Sequence, residues 1–248
     1  MIRACAVIPY YEHPTTLAGT VAVLRRHGLT CFIVDDGSGS AAHAIASQLA
    51  AHDPAVRLIT HGSNRGKGAA VLSGGRAAAA AGFTHALQVD ADGQHDLGDV
   101  PEFLAQAGSH PQALILGTPR FDASMPRSRL YGRYLTHLWV WVNTLSLDVA
   151  DSMCGYRVYP LASLFEVADS ERLGRRMEFD TEIVVRLHWR GVPMIGLPTL
   201  VTYPPDGVSH FDLWHDNLRI SAMHARLFFG MLLRAPGMLL RRVRGTAR

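Results

Sequence analysis

Four short apolar runs, each closed by a polar cluster, constrain this chain more than any other feature. Cys5-Ala6-Val7-Ile8 ends at Pro9-Tyr10-Tyr11-Glu12, and Cys31-Phe32-Ile33-Val34 ends at Asp35-Asp36-Gly37-Ser38. Val56-Arg57-Leu58-Ile59 leads into the polar stretch 61–67, and Ala86-Leu87-Gln88-Val89 into Asp90-Ala91-Asp92-Gly93-Gln94-His95. Runs this short and apolar read as strands buried on both faces. A fifth strand is read at Leu114-Ile115-Leu116-Gly117. Between the runs lie helical stretches: one capped by Thr15 or Thr16, an Ala-rich one over 40–52, and one over 66–81 that stops at Gly82. Such alternation implies a mostly parallel sheet flanked by helices, and ligands of such sheets bind at the strands' carboxyl ends. All four polar clusters fall there.

The second half is less regular. Helical spacing recurs over 131–147, around Trp139 and Trp141, and over 182–189, stopped by Gly191. Strand-like pieces interrupted by prolines fill 192–203, and a long helix over 212–233 is capped near Ser209 or Asp212. With 248 residues, 48% of them hydrophobic, the chain holds enough apolar material for one large core. Residues 1–211 are expected to form the sheet domain, and 212–248 an amphipathic helix with a basic tail.

Charge separates the two parts. The net charge is only +3, yet no acidic residue follows Asp216, while Arg219, Arg226, Arg234, Arg241, Arg242, Arg244 and Arg248 do. A basic tail beside apolar residues suits an anionic lipid surface, and no aromatic–basic interleaving points to nucleic acid. The face formed by Leu227, Phe228, Met231 and Leu232 is free of arginine and fits either a membrane or a core. The stretch 227–240 is broken by Arg234 and Pro236, short of the roughly 20 residues a span needs. Cys5, Cys31 and Cys154 form no CxxC pair, which argues against zinc and suits a reducing compartment. Met1-Ile2-Arg3 enters a strand directly, without a signal peptide. The expectation is a cytoplasmic protein, peripheral on the inner face of the membrane.

Asp90 and Asp92, spaced i, i+2 at a strand end, share a face, and Gln94 continues that parity. Such an oxygen set suits Mg²⁺ or Mn²⁺, often shared with a substrate diphosphate. Alone, Asp-x-Asp describes a polar turn equally well. Asn64-Arg65-Gly66-Lys67-Gly68 opens a helix whose backbone N–H groups suit a phosphate, with Lys67 as a point charge or simply a solvated lysine. It departs from a Walker A loop, because Gly62 to Gly66 is one residue short and Gly68 replaces Ser or Thr.

Together these clusters resemble, in order and spacing, the family-2 glycosyltransferases of the GT-A fold, and within them the dolichyl- or polyprenyl-phosphate mannose synthase branch. Asp151-Ser152-Met153-Cys154-Gly155-Tyr156-Arg157 is similar to that branch's acceptor-side motif, and Glu178-Phe179-Asp180-Thr181-Glu182 has a counterpart there. The likeness runs from about residue 3 to about residue 211. It implies a Rossmann-like, mostly parallel α/β sheet with acceptor-side helices. It also implies metal-dependent inverting transfer of a sugar from a UDP- or GDP-linked donor to a lipid-linked or amphipathic acceptor.

The resemblance further implies roles. Pro9, Tyr10 and Glu12 would line the nucleotide pocket, Tyr10 by stacking on the base. Asp36 would bind base or ribose, Lys67 the diphosphate, Asp90 ribose and metal, Asp92 metal and diphosphate, and Gln94 metal. Arg120, Arg133 and Arg157 would grip an acceptor phosphate. A hydroxyl acceptor would instead need a base, for which Asp180 and Glu182 compete. Asp151 would orient Arg157 or position the acceptor. His210, in Ser209-His210-Phe211, stands where Lys or Arg usually approaches the diphosphate. Two other readings exist: a non-catalytic nucleotide-sugar or lipid-surface binder on this fold, and a nucleotide-dependent oxidoreductase. The second is opposed by Pro9-Tyr10-Tyr11-Glu12 where Gly-x-Gly-x-x-Gly would stand.

Overall fold

The computed structural model describes residues 1–121, 127–202 and 212–245. The expected strands are present as β1 (Ala4–Tyr10), β2 (Cys31–Asp35), β3 (Val56–Thr60), β4 (His85–Gln88) and β5 (Leu114–Phe121), joined by β6 (Arg157–Pro160) and β7 (Met194–Val201). Among the described residues they form one seven-stranded sheet in the order β3-β2-β1-β4-β6-β5-β7. Every pairing is parallel except those of β6, which runs antiparallel to both β4 and β5.

Strand parity divides the core into two layers. Cys5 and Val7 of β1 point to one face, with Phe32, Ala86, Leu114 and Leu116. That face is covered by the helices α3 (Lys67–Ala80), α5 (Arg127–Thr144), α6 (Leu161–Ser170), α7 (Phe179–Trp189) and α8 (Leu213–Gly245). Ala6, Ile8 and Tyr10 point to the other face, with Ile33, Leu87 and Ile115. There they meet α1 (Pro14–Arg26), α2 (Ser40–His52) and α4 (Val100–Ser109). A period of two on a sheet covered on both sides produces this division.

Several details differ from the sequence reading. The helix α1 opens at Pro14, whose missing N–H is harmless at a first helical position. Thr16 is therefore inside the helix, and its hydroxyl donates to the Ala91 carbonyl, tying α1 to the acidic turn. Neither α4 nor α6 nor β6 was anticipated. The terminal helix continues past Leu233 to Gly245 with Pro236 inside it. Pro236 lies on an exposed face, where water can take up the carbonyl its missing N–H leaves free, while Met238 on the opposite side is buried.

Candidate active site

The chain leaves β1 for β2 on one side of the sheet and returns from β3 through α3 to β4 on β1's other side. The carboxyl ends of β1 and β4 therefore flank a topological switch point, the usual location of a ligand crevice. Because β6 is antiparallel, its amino end lies at this same edge, which brings residues 151–157 beside the end of β4.

The chain turns sharply after β4, with Gly93 at φ 73°. Lys67, first residue of α3, reaches into this turn. Its Nζ stands 2.8 Å from Asp90 Oδ2 and 2.7 Å from Asp180 Oδ2 on α7. Burial alone would raise the Asp90 carboxyl, but the Lys67 ammonium and His95 outweigh it and hold the group well below the usual carboxylate range. Burial likewise opposes the Lys67 charge, and Asp180 and Asp90 overcome it, so the ammonium stays protonated. Asp92 is pushed upward, first by burial and then by the negative charge of Asp90. His95 Nε2 lies 3.7 Å from Asp90 Oδ2, with its ring stacked on Tyr156 at 5.2 Å. Asp90 Oδ1 is buried without a hydrogen-bond partner.

Gly155, just before β6, forms the floor under this group. A Cβ there would stand 2.7 Å from both Asp90 Oδ1 and Lys67 Nζ. Gly155→Ala is expected to push Asp90 and Lys67 apart and lower turnover by about a hundredfold, since displacements near 1 Å at a site have that effect. Parallel kinetics and thermal melts of the variant check this; full activity would show that the floor has slack.

The acidic turn sits beside a second polar cluster at the ends of β1, β2 and β3. Asp36 is buried and its carboxylate is occupied: Oδ1 accepts from His61 Nδ1 (2.6 Å) and Arg65 N (2.9 Å), and Oδ2 from Gly66 N (2.7 Å). The anion held by the N–H groups leading into α3 is thus this side chain. Asp36 shapes the 61–66 loop and does not present its carboxylate to base or ribose. Gly66 has φ 100°, a conformation that β-carbon residues resist, so this loop depends on it. Glu12 adopts φ 53° and accepts from Gly39 N at 2.5 Å, linking the first and second strand ends. An open hollow of about 330 Å³ beside these groups is lined by residues that include Asp35, Gly37, Ser38, His43, His61 and Gly62.

Some expected roles are corrected. Tyr10 points into the core under α2, 1% exposed, with its hydroxyl donating to Ala42 O at 2.9 Å. It offers no ring face to a base. Pro9 is likewise buried in β1. Arg157 is fully buried and clamps the carbonyls of Cys154 (2.9 Å through Nε) and Asp180 (2.8 Å), so it cannot grip an acceptor. Glu182, also fully buried, accepts from Gly174 N and Arg186 and faces no open space. The parity extended to Gln94 fails, because β4 ends at Gln88 and the chain turns before Gln94 is reached.

Asp151 ties the loop before β6 to α5. Its Oδ1 accepts from Met153 N and Cys154 N, while Oδ2 takes Arg133 Nε at 2.6 Å and His137 Nε2 at 3.1 Å. Burial would raise this carboxyl, yet His137 and Arg133 hold it low. It therefore positions Arg133, which lies over the Phe121 ring, and not Arg157. Arg120 is exposed at the carboxyl end of β5. His210 and Phe211, together with Ser209, lie outside the described residues.

Sequence reasoning missed the Lys67 bridge, because Lys67, Asp90 and Asp180 are far apart along the chain. It also gave His95 and His137 no role. One signal was available: Gln88 is a polar residue in an apolar strand. It is buried, donates to Asp180 Oδ1 at 3.3 Å and accepts from the Tyr159 hydroxyl at 3.2 Å, supporting the bridge from below.

This mostly parallel sheet with an acidic switch-point turn has the GT-A fold. Glucosyl-3-phosphoglycerate synthase from Mycobacterium tuberculosis, solved with Mn²⁺ and UDP-glucose, superposes with a TM-score of 0.62 at 15% identity, over 94% of this chain and 79% of that one. Residues 5–165 match the sequence model of glycosyl transferase family 2, and the chain belongs to that family. Undecaprenyl-phosphate mannosyltransferase of Micrococcus luteus is 27% identical over 164 residues, 64% of this chain and 66% of that protein's length. Polyprenol monophosphomannose synthase of Mycolicibacterium smegmatis is 27% identical over 219 residues, 84% of this chain and 80% of that protein.

Proposed function

We propose that this chain is an inverting glycosyltransferase that moves a sugar from a UDP- or GDP-linked donor to a lipid-linked phosphate at a membrane surface. The observation that carries the reading is the Asp90–Lys67–Asp180 bridge at the switch point, with the bare, buried Asp90 Oδ1 beside Asp92. The names of the Micrococcus and Mycolicibacterium relatives, both built on polyprenyl phosphates, support the acceptor class.

Asp90 and Asp92 fit a hard divalent cation, Mg²⁺ or Mn²⁺, which takes few protein ligands and shares a diphosphate. When bound, that cation neutralises charge on the departing nucleoside diphosphate. Lys67 keeps Asp90 ionised and aimed at this position. An acceptor phosphate oxygen attacks the sugar's C1 from the opposite face. The bond from C1 to the diphosphate oxygen breaks, and its electron pair leaves with the diphosphate. A phosphate nucleophile is already anionic and needs no general base. That matches the protein, where the carboxylates of Asp151, Asp180 and Glu182 are all committed to cationic or N–H partners. Arg120 is exposed to meet the acceptor phosphate, and Arg133 is positioned beside it by Asp151. The hollow beside Ser38 and His43 takes the nucleoside end.

Calorimetric titration with UDP and with GDP, each with and without Mn²⁺, tests the reading. Binding of one nucleotide only when Mn²⁺ is present is the expected result. No binding of either nucleotide under any condition would overturn it.

A further inference from the structure

Lys67 and Asp180 meet at the candidate site although each stands at the start of a different helix, α3 and α7. The turn 174–178, just before α7, lies across the first turn of α3 and joins the two. Arg175 O accepts from Ala69 N at 3.0 Å. That carbonyl does for α3 what a capping side chain would do, since the residue before Lys67 is Gly66 and caps nothing. Arg176 Nη1 adds a bond to Asn64 Oδ1 at 3.0 Å.

Two glycines make the seat for this turn. A Cβ on Gly66 would stand 2.5 Å from Arg176 Cγ, and one on Gly68 would stand 2.5 Å from Phe179 Cβ. The Gly-Lys-Gly run is therefore shaped to receive residues 175–179. Arg65 N and Gly66 N are taken by Asp36, and Ala69 N by Arg175, so these N–H groups serve the protein and not a phosphate.

Glu178 holds the turn together. It precedes α7, the position from which a side chain ordinarily caps its own helix, yet it makes no such bond. Its carboxylate turns backward instead: Oε1 accepts from Arg175 N at 3.1 Å and from Arg176 N at 3.4 Å. Oε2 is buried with no hydrogen-bond partner among the described residues, so Oε1 alone carries the contact. Gly174 N donates to Glu182 Oε2 at 2.7 Å, which ties the start of the turn to the first turn of α7. The turn and the start of α7 are thus one unit. Asp180 lies two residues past Glu178. Gln88 and Arg157 meet its Oδ1, while its approach to Lys67 depends on where α7 begins. We infer that Glu178 is a positioning residue for the transfer: through the turn it seats on Gly66 and Gly68, it sets the contact between Asp180 and Lys67. The inference rests on the proposed function for the importance of that contact, not for its geometry.

Lys67 is the only lysine in the chain, so a sample labelled with ¹⁵N-lysine carries a single side-chain ammonium signal. Held between two carboxylates, its protons should exchange slowly with water in the wild type. Glu178→Ala should speed that exchange about tenfold or more, since a hydrogen bond to a charged group is worth at least that factor. Glu178→Gln keeps an oxygen for both N–H groups and should restore the wild-type signal. Transfer from UDP-glucose or GDP-mannose to undecaprenyl phosphate should follow, with kcat about a hundredfold lower in Glu178→Ala and close to wild type in Glu178→Gln. Arg176→Ala gives up the bond to Asn64 and leaves Glu178 in place; it is the milder variant should Glu178→Ala not fold, and it should shift the exchange in the same direction. A wild-type ammonium signal in both alanine variants, or a glutamine variant as disturbed as Glu178→Ala, would overturn the inference. The ammonium signal needs neither donor nor cation. A protein that shows these shifts but binds no nucleotide would refute the proposed reaction and uphold the positioning.

Discussion

Exchange of Asp92 for Asn is expected to abolish Mn²⁺-dependent retention of the nucleoside diphosphate while leaving the fold intact. Asp92 lies two residues past Asp90 in the turn after β4, and its Oδ1 already accepts from Gln94 N at 3.0 Å. Without the second carboxylate, a cation held there would keep a single charged protein ligand. Even disturbing groups one layer outside a metal's ligands weakens its binding roughly 10–100-fold, so the loss here should be at least that large. Stability moves the other way. Burial and the charge of Asp90 raise the Asp92 carboxyl above its ordinary value. A carboxyl raised on folding opposes folding at neutral pH, and the opposition fades as pH falls through its folded value. Neutral Asn removes the repulsion, so the metal-free variant should melt at or above the wild-type temperature. Calorimetry with and without Mn²⁺, alongside a thermal melt, checks both halves. Unchanged Mn²⁺-dependent binding would sink the metal assignment.

Lys67→Met should be the more damaging change to the fold. The ammonium sits between Asp90 and Asp180, all three side chains less than a fifth exposed. Its removal leaves two carboxylates facing one another beside Gln88, Arg157 and His95. Breaking a buried ionic contact by deleting one partner destabilises by roughly 3–5 kcal/mol; the residual exposure favours about 3 kcal/mol. For a chain of this size that is a fall in Tm of roughly 6–12 °C. Adding Asp180→Asn should recover much of the stability, since one of the stranded charges is gone, but little of the transfer rate. A melt of Lys67→Met indistinguishable from wild type would show that the bridge contributes nothing to the fold.

The sheet was legible because its signal is local. Apolar runs of four or five residues, closed by turn chemistry, recur at β1 to β5, and each run carries its own evidence. What escaped was β6, a four-residue strand whose Arg157 and terminal Pro160 argue against a strand. Its place in the sheet comes from pairing with β4 and β5, elements far from it in sequence. The short α4 and α6 were missed for a related reason: packing on the sheet supplies most of the stability of a ten-residue helix.

Within the candidate site, residue types and strand-end positions were readable, but the direction of each side chain was not. Asp90 and Asp92 belong to the crevice because they follow β4, which the sequence alone determined. Tyr10 also stands at a strand end, yet the two-residue period of β1 aims its ring beneath α2. Asp36, Arg157 and Glu182 look chemically able to bind a substrate, and each spends its capacity on backbone N–H groups, carbonyls or arginines inside the protein. On α8, the sequence alone established an amphipathic, basic helix. Which of its apolar residues are buried depended on the face that met Trp189 and the core around α7. Local pattern thus determined which residues reach the sheet's edge; contacts between distant segments decided which of them remain free to act, because a polar group's chemistry depends on the partners that have already satisfied it.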